Sequence, residues 1–556
     1  MDQNASLKTA DRFVTRLDKL ASERSTLDAH CQEIAEYVIP RRSDFINTPP
    51  PGSKLTEKVV DSTAIRGGRI LSSGLHGSMT APSSIWFYLC TVEKIEDNDA
   101  QAAKWLDDVS RMIFHILNLS NFNSQVHETY IELSAFGTGI LYEEPDDDTI
   151  VRFDSRPLTE CYIVENSKGV VDTIFRKFKY TVSQAYEEWG EKNGETVKKL
   201  YKDNKFDDKV DILHVACARR DYKKDIPGKI NMPFASFYID IKDKHMIEEG
   251  GYEEFPFFVV RWLKCANEIY GRSPAMDALP DIKMVNEMAR TLIKGSQKIV
   301  DPPLVLPHNA FILPIKTVPG GLNFRISREP NDRIEPLQTN ANIPIGIEMI
   351  TKVRESINSM FFVDLFLMLT ESQQMTATEV LERVKEKMIV LGPTMGRIMT
   401  ELLNPIINRT YKIAERKGSL PEMPASLKGK AINIRYVSPL AKAQQQQQFT
   451  STVKLGQLVL NIGTIVPDAL DTIDWDIYIK EGADALGASK TVLADVDNVA
   501  AIRKARGEAQ QKSMQEQSAL TQSKIAENMA KAAPGVKDLM AGGMMNAGGS
   551  PGGMIG

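Results

Sequence analysis

The sequence predicts an α+β fold, mostly helical, and three observations carry that reading. Long runs at 98–119, 123–137 and 273–300 repeat apolar residues at three- and four-residue steps. Short β-rich runs occupy 139–172 and 209–263. A proline-studded insert, 301–343, separates two helical stretches. At 556 residues, with 42% apolar and 25% charged residues, the chain has the composition of a multidomain globular protein.

Residues 6–39 read as an amphipathic helix or helix pair with Phe13, Leu17, Leu20, Leu27, Ile34 and Val38 on one face, ended by Pro40. The loop FINTPPPGSKL follows. Asp61 or Ser62 then caps a small-residue helix bearing Ile65, Ile70, Leu71 and Leu75, which Gly74, Gly77 and Pro82 are expected to break before a strand at Ile85–Leu89. Trp105, Val109, Ile113, Ile116 and Leu117 mark the helix 98–119, and Gly137 and Gly139 stop the helix 123–137. GILYEEP, IVRFDSRP and ECYIVEN are β-runs, and ENSKGVVDTIFRKFKYT is a hairpin turning at Asn166–Gly169. Residues 181–203 return to helix and 209–263 to strand, completing an α+β block over roughly 40–265.

Beyond it comes the helix SPAMDALPDIKMVNEMARTLIKGSQKIV, with Leu279, Ile282, Val285, Ala289, Leu292 and Ile293 in register. The insert carries Pro302, Pro303, Pro307, Pro314, Pro319, Pro330 and Pro336. A second helix, PIGIEMITKVRESINSMFFVDLF, leads into the polar loop LMLTESQQM, with Thr370, Glu371, Ser372, Gln373 and Gln374 at its centre. Such a loop serves as a plain turn or as a contact surface facing a hydrated lumen. Thr376–Lys417 would make a helix roughly 60 Å long. Its interior Gly392-Pro393 removes a backbone hydrogen bond and is expected to kink or break it, the alternative being two or three consecutive core helices. INIRYVSPL is a strand, Gln444–Gln448 a surface helical segment, 489–532 a polar helix in need of partners, and the glycine-rich end a disordered tail.

Several classes of chemistry find no support. The net charge of −5 argues against nucleic-acid binding through a large basic excess. Five dispersed cysteines (Cys31, Cys90, Cys161, Cys217, Cys265) with no C-x-x-C argue against a disulfide framework and for a cytoplasmic origin. No apolar run approaches the roughly 20 residues a membrane span needs, and MDQNASLKTADRF lacks the apolar core of a secretory signal. There is no Walker phosphate loop and no H-E-x-x-H, since His127-Glu128 has no second histidine. The seven histidines are scattered and read as core or surface residues rather than metal ligands. SSGLHGSMTAPSS lacks the G-x-S-x-G elbow, Gly137-Thr138-Gly139 lacks the third glycine of a dinucleotide site, and Asp146-Asp147-Asp148 reads as a solvated turn. No catalytic residue, metal or cofactor is assigned.

Four stretches carry a resemblance: DSTAIRGGRILSSGLHGSMTAPSSIWFYL, ENSKGVVDTIFRKF, YGRSPAMDALPDIKMVNEMARTLIKGSQKIVDPPLVLP, and MTATEVLERVKEKMIVLGPTMGRIMTELLNPIINRTYKIAERKGSLPEMP. Up to about residue 480, the chain resembles the portal proteins, or head-to-tail connectors, of short-tailed, podovirus-type bacteriophages. The resemblance implies a closed ring, usually of about twelve subunits, at one capsid vertex of the virion, assembled in the host cytoplasm. It implies N-terminal helices and a wing over 1–272, a first stem helix at 273–300, a clip at 301–343, a second stem helix at 344–366, a tunnel loop at 367–375, a kinked wing helix at 376–429, a crown with a possible barrel extension at 430–532, and a tail at 533–556. Implied partners are copies of the chain, double-stranded DNA held without sequence preference, the large terminase, the major capsid and scaffolding proteins, and tail adaptor or nozzle proteins.

A mildly acidic chain suits a channel, because dense Lys/Arg contacts would grip DNA tightly. Arg290, Lys294 and Lys298, four residues apart, form one stripe on the first stem helix that offers sparse phosphate contact, although a solvated face has the same spacing. In the loop, Glu371 would repel phosphate while Gln373 and Gln374 offer neutral contact. The competing readings are a capsid or scaffold protein without a channel and, with less support, a phage-encoded hydrolase.

Overall fold

The computed structural model describes residues 3–539 apart from 48, 51, 93–98, 224–227, 307–310, 318–321, 325, 327–333, 338–342, 369–390, 438–451, 463–470, 476, 480–481 and 483–495. The chain divides into two units, Met1–Thr472 and Ile473–Gly556.

The first unit opens with α1, Gln3–Val38, a single helix. In α2, Thr63–Met79, the expected break at Gly74 and Gly77 does not occur. Neither glycine is a breaker there: a Cβ at Gly74 would collide with the Phe366 ring, so its smallness lets that ring close on the helix. Ser62 is the N-cap residue, but it is the Asp61 carboxylate that accepts from Thr63 N (2.9 Å). Strand β1, Phe87–Thr91, pairs antiparallel with β12, Ile432–Tyr436. Helix α3, Ala100–Leu119, is capped by the Asp99 carboxylate. Helix α4, Phe122–Phe136, ends on Gly137 in the left-handed conformation (φ 71°).

Two sheets follow. One has three strands in the order β3 (Ile150–Ser155), β2 (Thr138–Asp146), β9 (Phe257–Arg261). The other is a five-stranded meander of β4 (Cys161–Glu165), β5 (Val171–Thr181), β6 (Lys209–Ala218), β7 (Phe234–Asp240) and β8 (His245–Tyr252). Side chains alternate across this sheet. Phe175, Leu213, Val215 and Phe237 pack against Ala10, Val14 and Leu17 of α1. Phe178, Val210 and Ile212 pack with Val182, Trp189 and Val197 on the opposite side. Those last three come from α5, Val182–Trp189, and α6, Glu195–Lys202. The single helix expected over 181–203 is thus two, divided around Gly190, where φ is 50°.

Helix α7, Pro274–Val300, is capped by Ser273 Oγ, which accepts from Met276 N (3.0 Å). Within the insert, β10 (Leu304–Val305) pairs with β11 (Glu335–Pro336). The second helix of the pair is shorter than expected. Helix α8, Ile343–Met360, stops at Phe361-Phe362, where Phe362 has φ 54°, and α9, Val363–Met368, restarts the chain. The break lets Phe361 bury completely against Gly67.

The long helix is described from residue 391. It runs as α10 (391–398), a π-helical turn over Met399–Leu403, and α11 (Asn404–Arg416). Pro405 has no N–H for the Glu401 carbonyl, and the wider π turn just before it accommodates that loss. A further helix, α12, spans 452–462. In the second unit α13, Val496–Leu539, is 44 residues long, and every described side chain from 501 to 527 is exposed. It begins and ends about seven residues later than expected and so enters the stretch read as a tail. Among the described residues no helix is long and apolar enough to cross a membrane.

One core unites α2, α3, α4, α7, α8, α11 and the three-stranded sheet, with Trp86, Phe87, Phe122, Phe136, Phe153 and Phe361 fully or almost fully buried. Two carboxyls lie inside it. Burial pushes Glu143 up to about 8 and Glu132 up to about 7, against an ordinary 4.5. Arg409, 3.8 Å from Glu143, is too distant to reverse this, and Thr410 Oγ1 donates to Glu143 Oε1 at 2.8 Å. The folded chain therefore holds protons that the unfolded chain releases above pH 4.5. Stability should fall by about 1.4 kcal/mol per pH unit per group while the folded carboxyl stays protonated. Both groups contribute up to about pH 7 and Glu143 alone up to about 8. Urea denaturation at pH 6 and 8 should show the more acidic sample to be more stable, and Glu143→Gln should flatten the difference; an unchanged slope in that variant would exclude Glu143 as its source.

Candidate assembly and channel surface

The pair α7–α8 is anchored at one end and bare at the other. Ala275, Ala278, Leu279, Ile282 and Val285 of α7 are buried, as are Ile350 and Ile357 of α8. Polar clamps fix this base. Asn286 Oδ1 accepts from Val60 N (2.7 Å) and Asp61 N (2.9 Å). Ser356 donates to Asp281 (2.8 Å), and Arg354 donates to the buried Asp61 carboxylate (2.8 Å). Burial alone would raise the Asp61 carboxyl, but hydrogen bonds from Thr63 and Arg354 outweigh it and hold it below its ordinary value.

Away from the base the apolar residues face outward. Ile293, Ile299 and Val300 of α7 and Ile345, Ile347 and Met349 of α8 are exposed. So are Leu304, Leu313, Leu322, Phe324 and Ile326 of the insert between them, with Val300 at 85% and Leu322 at 75%. This is far more apolar surface on one continuous segment than scattered exposure produces.

The residues singled out from sequence fall unevenly on this frame. Lys294 and Lys298 are exposed on the bare half of α7. Arg290 is half-buried and donates to Glu287 (2.6 Å), which takes up part of its charge. Gly392 and Pro393 are exposed in the first described turn of α10, and the residues before them lie outside the described residues. Thr370, Glu371, Ser372, Gln373 and Gln374 also lie outside the described residues.

A joint that sequence reasoning passed over ties the two sheets to the long helix. Arg261, at the end of β9, is 3% exposed. Its Nη2 donates to Glu401 Oε1 (2.7 Å), its Nε and backbone N donate to Glu401 Oε2 (3.2 and 3.0 Å), and its Nη1 pairs with Glu165. Lys264 also holds Glu165 (2.6 Å). Burial would lower the Arg261 pKa, but these carboxylates outweigh it and raise it, so the ion stays charged in the interior. Glu401 sits in the π turn. The signal was legible: an arginine closing the otherwise apolar strand FFVVR has to find a carboxylate. A second joint lies alongside, where Glu254 receives Arg416 in a two-pronged pair (2.7 and 2.8 Å) and Arg409 (3.4 Å). Among the described residues no group of three or more His, Cys, Asp or Glu side chains is placed to hold a metal.

Residues 10–493 match the family profile described as bacteriophage head to tail connecting protein. Over 513 residues the chain is 33% identical to a protein named probable portal protein from Bordetella phage BPP-1, covering 90% of this chain and 92% of that one. Over 508 residues it is 30% identical to one named portal protein from Salmonella phage epsilon15, covering 89% and 91%. A chain from the virion of a native gene transfer agent particle overlays with a TM-score of 0.35 and 11% identity, over 71% of this chain and 86% of that one, a likeness too weak to bear on the fold. With the chain matched over nearly its whole length, it belongs to the bacteriophage head-to-tail connecting proteins, the family of phage portal proteins.

Proposed function

We propose that copies of this chain close into a ring of roughly twelve, through whose centre double-stranded DNA is packaged and later ejected. The observation that carries this is the bare apolar half of the α7–α8 pair with its insert. A subunit cannot keep that surface in water, and a head-to-tail ring covers it on every copy at once. In this reading the pair is the stem lining the channel, the insert at 301–343 is the clip on which the large terminase and then tail adaptor proteins dock, and the two sheets form the wing against capsid and scaffolding proteins. The long exposed α13, about 66 Å from end to end, would pair with its copies in a barrel extending the crown.

The chain acts as a passive conduit, with no enzymatic role, and the motor is a separate terminase. Assembly takes place in the host cytoplasm, before the portal takes its place in the virion. Lys294 and Lys298 give the lumen sparse positive charge, weak enough for DNA to slide. The loop containing Thr370–Gln374 sits nearest the DNA. Deleting Glu371–Gln374 tests this: rings should still form while packaged DNA per particle drops severely. Normal packaging by the deleted chain would remove the loop from the channel.

A further inference from the structure

The arginines at the base of the α7–α8 pair fall into two kinds. Arg354 donates to Asp61, and Arg290 to Glu287. Arg66 and Arg69 of α2 have no such partner: neither guanidinium makes a hydrogen bond or an ion pair among the described residues. Helix α2 buries Ala64, Gly67, Gly68, Leu71, Leu75 and Met79 on one side. Ser62, Arg66, Arg69, Ser73 and Gly77 come up at steps of three and four on the other, and all are exposed.

This stripe forms one wall of a cleft of about 530 Å³, to which Phe366 and Leu367 add an apolar floor. Among the described residues no carboxylate lines it. Arg66 and Arg69 stand three residues apart on the helix, which separates their Cβ atoms by about 5–6 Å. Both guanidiniums can therefore reach one anionic group or two successive ones, with the Ser62 and Ser73 hydroxyls as further donors. Two planar, permanently charged donor forks with hydroxyls and no carboxylate suit phosphate oxygens.

We propose, on the reading of the α7–α8 pair as a channel stem, that the 62–73 stripe of α2 faces the lumen and that Arg66 and Arg69 touch the phosphate backbone of the duplex. Leu367, in the wall of the cleft, is followed three residues later by Thr370, a chain reach of at most about 11 Å. A loop that lies nearest the DNA thus starts within that distance of the cleft. The competing occupant is a neighbouring copy of the chain, and the surface chemistry speaks against it. No large apolar side chain of α2 is exposed, whereas α7 and α8 expose Ile293, Ile299, Ile345 and Ile347. The core of a protein–protein interface is depleted in charge, while a contact to phosphates is polar and positive. Water still reaches both guanidiniums, so each contact is screened and exchangeable, as sliding DNA requires.

The test uses rings of the full chain, first seen as closed by electron microscopy. They are mixed with a linear duplex or with a covalently closed circular duplex, onto which a preformed ring cannot thread. Phenylglyoxal modification of arginine, mapped by mass spectrometry, reads the unaltered chain. Arg66 and Arg69 should react in free rings, be protected several-fold by the linear duplex and react fully beside the circle. Arg12 and Arg16, exposed on α1, should react alike in all three samples. The salt dependence of linear-duplex binding gives a second measure. Arg66→Gln with Arg69→Gln should make the slope of log K against log salt shallower by at least about 2, and Arg12→Gln with Arg16→Gln should leave it unchanged. Protection already in free rings would assign the stripe to a subunit interface, and equal protection by circle and linear duplex would put it outside the channel. Either result, reactivity unchanged by bound linear duplex, or an unchanged slope in the Arg66, Arg69 variant would overturn the proposal and leave the ring standing. Absence of closed rings, or rings that take up no linear duplex, would instead remove the channel reading and this inference with it.

Discussion

Replacing Arg261 with Ala should cost about 3–5 kcal/mol of stability, the range for removing one partner of a buried ion pair. The loss exceeds that of an exposed pair because Glu401 would lose its guanidinium and keep only the backbone N of residue 261 (3.0 Å) and Arg397, at 3.4 Å. Glu165 would retain Lys264. Arg261→Lys should rescue little, since an ammonium cannot donate to Glu401, Glu165 and the Gly169 carbonyl together as the guanidinium does. The double variant Arg261→Ala, Glu401→Ala should cost less than the sum of the single changes, because the orphaned charge is gone too. Denaturation of the four chains measures this; additive losses would mean that the pair does not join the sheets to the π turn.

Replacing Gly271 with Ala should be nearly as damaging. A Cβ there would lie within the van der Waals envelope of the Gly137 carbonyl oxygen, and both sides of the contact are backbone. The Gly137 oxygen is fixed by Trp262 N at 2.9 Å, and Gly271 N by Thr138 Oγ1 at 2.9 Å, so no rotamer change relieves the clash. A loss at the upper end of the roughly 1–3 kcal/mol range for overpacking is expected. The damage would spread to the start of α7, because Ser273 Oγ donates to Ala135 O (2.6 Å) two residues further on. Gly77→Ala is the contrasting control. Nothing lies within 4 Å of a Cβ built on that helical glycine, and the substitution should stabilise the chain by about 0.5–1 kcal/mol. If Gly271→Ala and Gly77→Ala behaved alike in denaturation, the close approach of 137 and 271 would be wrong.

Local chemistry was legible in the sequence wherever it acts locally. The helix start at Ser273, the stop at Gly137 and the hairpin around Asn166–Gly169 all follow from residues within a few positions of one another. The meander β4–β8 joins neighbours in chain order, as successive hairpins do. Family membership was legible too, because it rests on long stretches such as YGRSPAMDALPDIKMVNEMARTLIKG, whose pattern is far more specific than a short motif. What escaped depends on distant partners. The strand at Ile432–Tyr436 was visible, but its pairing with Phe87–Thr91 was not. Gly74 looked like a helix breaker until Phe366 stood against it. The break at Phe362 is repaid by burying Phe361, a contact no local pattern announces. The same holds for the candidate sites: the stripe of Lys294 and Lys298 follows from spacing alone, whereas the partner of Arg261 lies 140 residues away.

The central claim, a closed ring with a central channel, is tested most directly by electron microscopy of the purified full-length chain. The account predicts closed rings of roughly twelve subunits, with an axial opening wide enough for duplex DNA and the α7–α8 pairs arranged around it. Monomers, open filaments or closed shells without an axial channel would contradict it.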